Sequence, residues 1–89
     1  MKQLTIYSRP GCHLCDDMKR VIERVMAEMP PYTIAVTEMD ISTDPALEQM
    51  YGQEIPVLLV DGRKSAKYRT TEAELKRKLD GTGSGALLP

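Results

Sequence analysis

The chain has 89 residues, a formal charge of −1, and only two cysteines. One domain of this size buries about 60–65% of its unfolded surface and needs no covalent staple. Basic residues are spread along the chain rather than gathered, which argues against a nucleic-acid partner, and no apolar stretch approaches the roughly 18 residues of a membrane span.

Residues Gln3 to Ser8 mix apolar and β-branched side chains, are bounded by Arg9-Pro10-Gly11, and predict a short strand. Lys2 followed by the brief run LTIY is not a signal-peptide core, so the chain is expected in the cytoplasm. The period then changes. Leu14, Met18, Val21, Ile22, Val25, Met26 and Met29 recur at helical steps, giving an amphipathic helix that packs into the core and ends at Pro30-Pro31. Tyr32 to Ile41 returns to strand character, with Ile34, Val36 and Met39 as core candidates. Ser42, Thr43 and Asp44 offer N-caps and Pro45 suits a first helical position, so a short helix is expected to about Tyr51, with Gly52 as its stop. Val57 to Val60 forms a compact strand, and Asp61-Gly62 turns it into a charged strand, Arg63 to Arg69. Thr71 and Glu74 make a capping box for a last helix to about Leu79, closed by Asp80-Gly81. Residues 1–81 thus form one domain, and 82–89 a flexible tail.

The expected order is β-α-β-α-β-β-α. Strands joined through a helix should run parallel with a right-handed crossover, and the Asp61-Gly62 turn makes the last two antiparallel. The result is an α/β fold with a mixed four-stranded sheet and helices on both faces.

The stretch SRPGCHLCDDM places Cys12 and Cys15 at the head of the first helix. A bond between them closes too short a loop to stabilise the fold much, and cytosolic thiols are kept reduced, so catalysis or metal binding is favoured over a staple. Free N–H groups and the positive end of the helix dipole favour a thiolate at Cys12. Cys15, one turn further on and less exposed, is then the resolving thiol for a mixed disulfide. His13, the sole histidine, either stabilises the thiolate or is a solvated first-turn side chain. Asp16 and Asp17 suit the helix dipole, although Asp16 opposes a thiolate if it lies close. Arg63, Lys64, Lys67 and Arg69 protect a strand edge by charge, or form a docking patch for an acidic partner. Pro56, directly before the strand VLLV, must sit at a strand start.

Together these features resemble the thioredoxin superfamily, and within it the small glutaredoxin-like proteins, from Lys2 to about Leu79. The resemblance implies a thioredoxin-like fold and a dithiol–disulfide oxidoreductase that reduces protein or mixed disulfides. It implies that Ile55-Pro56 is a cis-proline pair whose Ile55 backbone clamps the substrate, and that Arg9 favours the thiolate and meets a substrate carboxylate. The Cys-His-Leu-Cys motif differs from the glutaredoxin and thioredoxin forms. The glycine pair and aspartate that hold glutathione are replaced by KYRTTEAEL, where Thr70 and Thr71 are left to receive an anion. Protein or peptide disulfides are therefore the expected partners of a monomer without a tightly bound cofactor, and glutathione or thioredoxin reductase the candidate electron sources. Two other function classes are a metal or iron–sulfur module sharing the CxxC in a dimer, since one chain offers too few ligands, and a redox-inactive interaction domain.

Overall fold

The computed structural model describes residues 2–29 and 33–80. Its elements are β1 (Lys2–Ser8), α1 (His13–Ala27), β2 (Ile34–Asp40), a 3-10 turn (Ile41–Thr43), α2 (Pro45–Tyr51), β3 (Val57–Val60), β4 (Arg63–Lys67) and α3 (Glu72–Asp80). They form one four-stranded sheet in the order β2-β1-β3-β4. The stops expected at Pro30-Pro31 and Gly81, the boundary at 81 and the tail 82–89 lie outside the described residues.

Strand alternation divides β1 between two faces. Leu4, Ile6 and Ser8 are buried on one face, where Leu4 and Ile6 join Met18, Ile22 and Val25 of α1, Leu58 and Val60 of β3, and Leu75 and Leu79 of α3 in one core. Tyr7 points the other way and stacks on Tyr51 of α2, ring centroids 4.7 Å apart. Helices therefore cover both faces. Met18, Ile22 and Val25 of the α1 stripe are buried because they recur every three or four residues and meet a flat apolar sheet surface.

β1 pairs with β2 in parallel, Lys2 opposite Ile34 through Ser8 opposite Asp40. β3, however, runs antiparallel to β1, with Tyr7 opposite Val57. The expectation that every helix-linked pair of strands runs parallel therefore fails for β2 and β3. Physically, α2 is one seven-residue helix, about 10 Å long, and residues 41–56 never cross the sheet. They leave β2 and enter β3 at the same edge, the one where β1 ends.

Three expected core residues are exposed: Met26 of α1 is 37%, Val36 38% and Met39 40% accessible. β2 is an edge strand with one neighbour, while α1 packs toward α3, leaving a groove of about 300 Å³ between α1 and β2 over Ile6, Ile22, Met26 and Val36. Ile41, in the 3-10 turn, is fully buried. β4 ends at Lys67 rather than at Arg69, because Tyr68 adopts a left-handed φ of 66° that no strand can continue. The Asp61-Gly62 turn has positive φ at both residues, 50° and 83°, as a tight hairpin between right-twisted strands requires.

Candidate active site

β1 delivers the chain to the sheet edge, and Gly11, at φ 79°, turns it into α1. The Cys12 N–H donates to the Arg9 carbonyl at 3.3 Å, closing this turn. Cys12 is then the N-cap of α1, in extended conformation. Its sulfur occupies the position where a Ser or Asp oxygen usually sits, and the Cys15 N–H donates to it at 3.1 Å. The two cysteines form a disulfide, their Cα atoms 5.2 Å apart. They are unequal in access: Cys12 is half-buried, whereas Cys15 is 1% exposed. His13 between them faces solvent. Asp16 and Asp17 are also exposed and pair with Lys19 (3.6 Å) and Arg20 (2.7 Å) on the next turn.

The pairing of Tyr7 with Val57 fixes the second part of the site, because it sets Pro56 beside the end of β1. The Ile55-Pro56 peptide is cis, Pro56 is buried and Ile55 half-buried. β4 and the residue after it hold this loop. The Tyr68 N–H donates to the Pro56 carbonyl at 2.9 Å, and its phenol donates to the Gln53 carbonyl at 3.1 Å. Lys64 pairs with Glu54 at 2.7 Å and holds that carboxyl below its ordinary range.

Arg9 pairs with Glu48 of α2. Asp40 lies below the ordinary carboxylate range, first through its hydrogen bonds with Ser42 and to a smaller extent through the Arg9 charge. The guanidinium is thus paired with Glu48 and acts on Asp40 only through its charge. Thr70 lines a groove of about 180 Å³ together with Leu14, Asp17, Met18, Val21, Tyr68 and Arg69. Thr71 serves α3 instead: its hydroxyl accepts from the Glu74 N–H at 3.1 Å, while its own N–H and hydroxyl donate to the Glu74 carboxylate at 3.3 Å. That is the capping box expected from the sequence. The structure therefore gathers Arg9, Cys12, Cys15, Ile55 and Pro56 at one sheet edge, places Thr70 in the adjoining groove, and commits Thr71 to its helix.

A polar cluster anchored on buried Ser8 lies at the end of β1. Ser8, the last residue of β1 and 3% exposed, donates to Glu38 Oε2 at 2.8 Å, and Lys19 of α1 donates to the same oxygen at 2.9 Å. The Lys19 ammonium, then the Ser8 hydroxyl, lower the Glu38 carboxyl below its ordinary range, and Glu38 raises Lys19 in turn. Among the described residues, no group of three or more His, Cys, Asp or Glu side chains is arranged to hold a metal ion.

The family model of the glutaredoxin-like domain (DUF836) matches residues 3–80, which is nearly the whole described chain. The chain belongs to this glutaredoxin-like family. Among solved structures, the glutaredoxin-like chain is similar to the structural-genomics target XcR50 from X. campestris, with 33% identity, a TM-score of 0.73, and coverage of 88% of this chain and 96% of that one. It is also similar to Ne2328 from Nitrosomonas europaea, with 23% identity, a TM-score of 0.69, and coverage of 86% and 89%. Chloroplastic thioredoxin z, at 17% identity and a TM-score of 0.74 over 96% of this chain and 80% of that one, shares the fold. The thioredoxin-like fold and membership of the thioredoxin superfamily follow. A comparison with curated proteins finds no match.

Proposed function

We propose that this glutaredoxin-like protein is a dithiol–disulfide oxidoreductase that reduces protein or mixed disulfides. The observation that carries this reading is the unequal pair: a half-buried Cys12 sulfur at a helix N-cap, receiving the Cys15 N–H, bonded to an almost fully buried Cys15. The helix N-terminus and that N–H favour the Cys12 thiolate once the disulfide is reduced. The thiolate attacks one sulfur of a substrate disulfide, forming a Cys12–substrate disulfide and expelling the other substrate sulfur as a thiolate, which takes up a proton. Cys15 then gives up its proton and attacks the Cys12 sulfur. The second substrate thiol leaves, and the two electrons transferred are accounted for by the Cys12–Cys15 disulfide.

Ile55 offers its backbone as a strand-like clamp for the substrate segment that carries the attacked sulfur. Thr70 borders the groove where that segment continues, and Arg9 supplies positive charge at the loop. A soluble thiol such as glutathione, or a thioredoxin-reductase system, returns the disulfide to the dithiol; no bound cofactor takes part, and the monomer acts in the cytoplasm.

A turnover assay on a glutathionylated peptide and on an intramolecular peptide disulfide tests this proposal, run once with glutathione and its reductase and once with thioredoxin reductase. Turnover that disappears in Cys12→Ser supports it. A wild-type chain that reduces neither substrate with either electron source contradicts it.

A further inference from the structure

The loop Gln53–Pro56 is held from outside itself. Tyr68 grips both ends, with its backbone N–H on the Pro56 carbonyl and its phenol on the Gln53 carbonyl, while Lys64 takes the Glu54 carboxylate. Ile55 makes no hydrogen bond among the described residues. Three neighbours are thus fixed around one residue whose own peptide groups stay open. The grip depends on an uncommon backbone state: Tyr68 has φ 66°, a region L residues other than Asn and Asp rarely occupy. Here it swings the N–H of the residue following β4 toward Pro56 while returning the ring over the loop. Tyr68 is 43% exposed, its ring carries the Lys67 ammonium 5.6 Å from the centroid, and the residue borders the groove beside Leu14 and Met18 of α1. A large exposed aromatic in a left-handed conformation is poor core material, and its contacts run to the docking loop rather than to the core.

We propose that Tyr68 is the positioning residue of the substrate-docking loop, setting the orientation in which Ile55 presents its peptide groups. This rests on the oxidoreductase activity proposed above. Tyr68 acts through Ile55 and does not touch either sulfur, so it governs docking and not thiolate chemistry.

The test uses the full chain and Tyr68→Phe, which keeps the ring, the left-handed backbone and the N–H bond and removes only the phenol bond. Loss of one neutral hydrogen bond corresponds to about a five-fold effect. For a peptide disulfide, KM should rise about five-fold with kcat within two-fold, while the pH profile of Cys12 alkylation stays that of the wild type. Tyr68→Gly, which also removes the ring, should raise KM further. Unchanged KM in both variants overturns the proposal, as does a fall in kcat together with an altered alkylation profile. If the wild type reduces no disulfide, the oxidoreductase activity fails by itself. Amide exchange at Glu54 then decides on Tyr68: exchange about five-fold faster in Tyr68→Phe supports the grip on the loop, and unchanged exchange overturns it.

Discussion

Replacing Ser8 with alanine removes one hydrogen bond at the root of the active-site loop, and the structure says both how much that costs and at which pH. Ser8 is 3% exposed, and its hydroxyl donates to Glu38 Oε2 at 2.8 Å. A hydrogen bond to a charged partner contributes roughly 1.5–3 kcal/mol net. Here the carboxylate side is 47% exposed and keeps Lys19, so solvent and the remaining ammonium recover part of the loss. An expected cost of about 1 kcal/mol follows. Against a total stability on the order of 5–10 kcal/mol for a domain of this size, it is readily measured. The sign of the pH dependence comes from Glu38, whose folded carboxyl lies below its unfolded value through Lys19 and then Ser8. A depressed carboxyl stabilises the fold above its unfolded pKa, about 4.3, and loses that contribution as pH falls through the folded value. Urea unfolding of the oxidised protein should therefore show the full deficit of Ser8→Ala at pH 7 and a much smaller one near pH 3. An equal deficit at both pH values would refute the assignment of the bond to an ionised Glu38, and no deficit at pH 7 would refute the bond itself.

Cys15→Ser keeps the residue-15 N–H that Cys12 receives but removes the resolving sulfur, so mass spectrometry should show a one-to-one mixed disulfide with substrate accumulating on Cys12; free turnover without an adduct would contradict the assignment of roles. Glu48 draws on the Arg9 charge, so Glu48→Gln should speed alkylation of reduced Cys12 at pH 7 and Arg9→Ala slow it, each by about two- to five-fold, the range of an exposed ion pair. Equal rates in all three proteins would mean that the Arg9 charge does not reach the sulfur. Thr71→Ala breaks the capping box of α3 and should lower stability by about 1 kcal/mol in thermal unfolding, with Thr71→Ser retaining most of it.

The elements legible in the amino-acid sequence are those with a local physical cause. The helical stripe from Leu14 to Met26, the Asp44-Pro45 start of α2, the Asp61-Gly62 hairpin and the Thr71/Glu74 box each depend on residues a few positions apart. The Cys12-to-Cys15 spacing belongs to the same class, which is why it points to a helix N-cap. Features that escape a reading of the sequence depend on distant partners. The direction of β3 follows from a 41–56 connection that stays at one edge, the exposure of Val36 follows from where α1 lies, and Met39 sits on the opposite face of the same edge strand. Ser8 and Glu38 are 30 residues apart and Arg9 and Glu48 are separated by a helix and a strand, so no periodicity announces either pair. Tyr68 carries the opposite signal, since a tyrosine at the end of a charged run argues for one more strand residue.

That 41–56 segment, by turning back at the edge it came from, gives the molecule two poles with separate duties. Every group proposed for chemistry lies at the pole where β1 ends, while the hairpin Asp61-Gly62 marks the other. At that far pole Asp61 only secures the start of β1, through the Gln3 N–H and Lys2. A peptide tag or a reporter domain inserted between Asp61 and Gly62 therefore draws on folding stability alone, which makes this hairpin the natural attachment point for immobilising the protein with its disulfide facing outward.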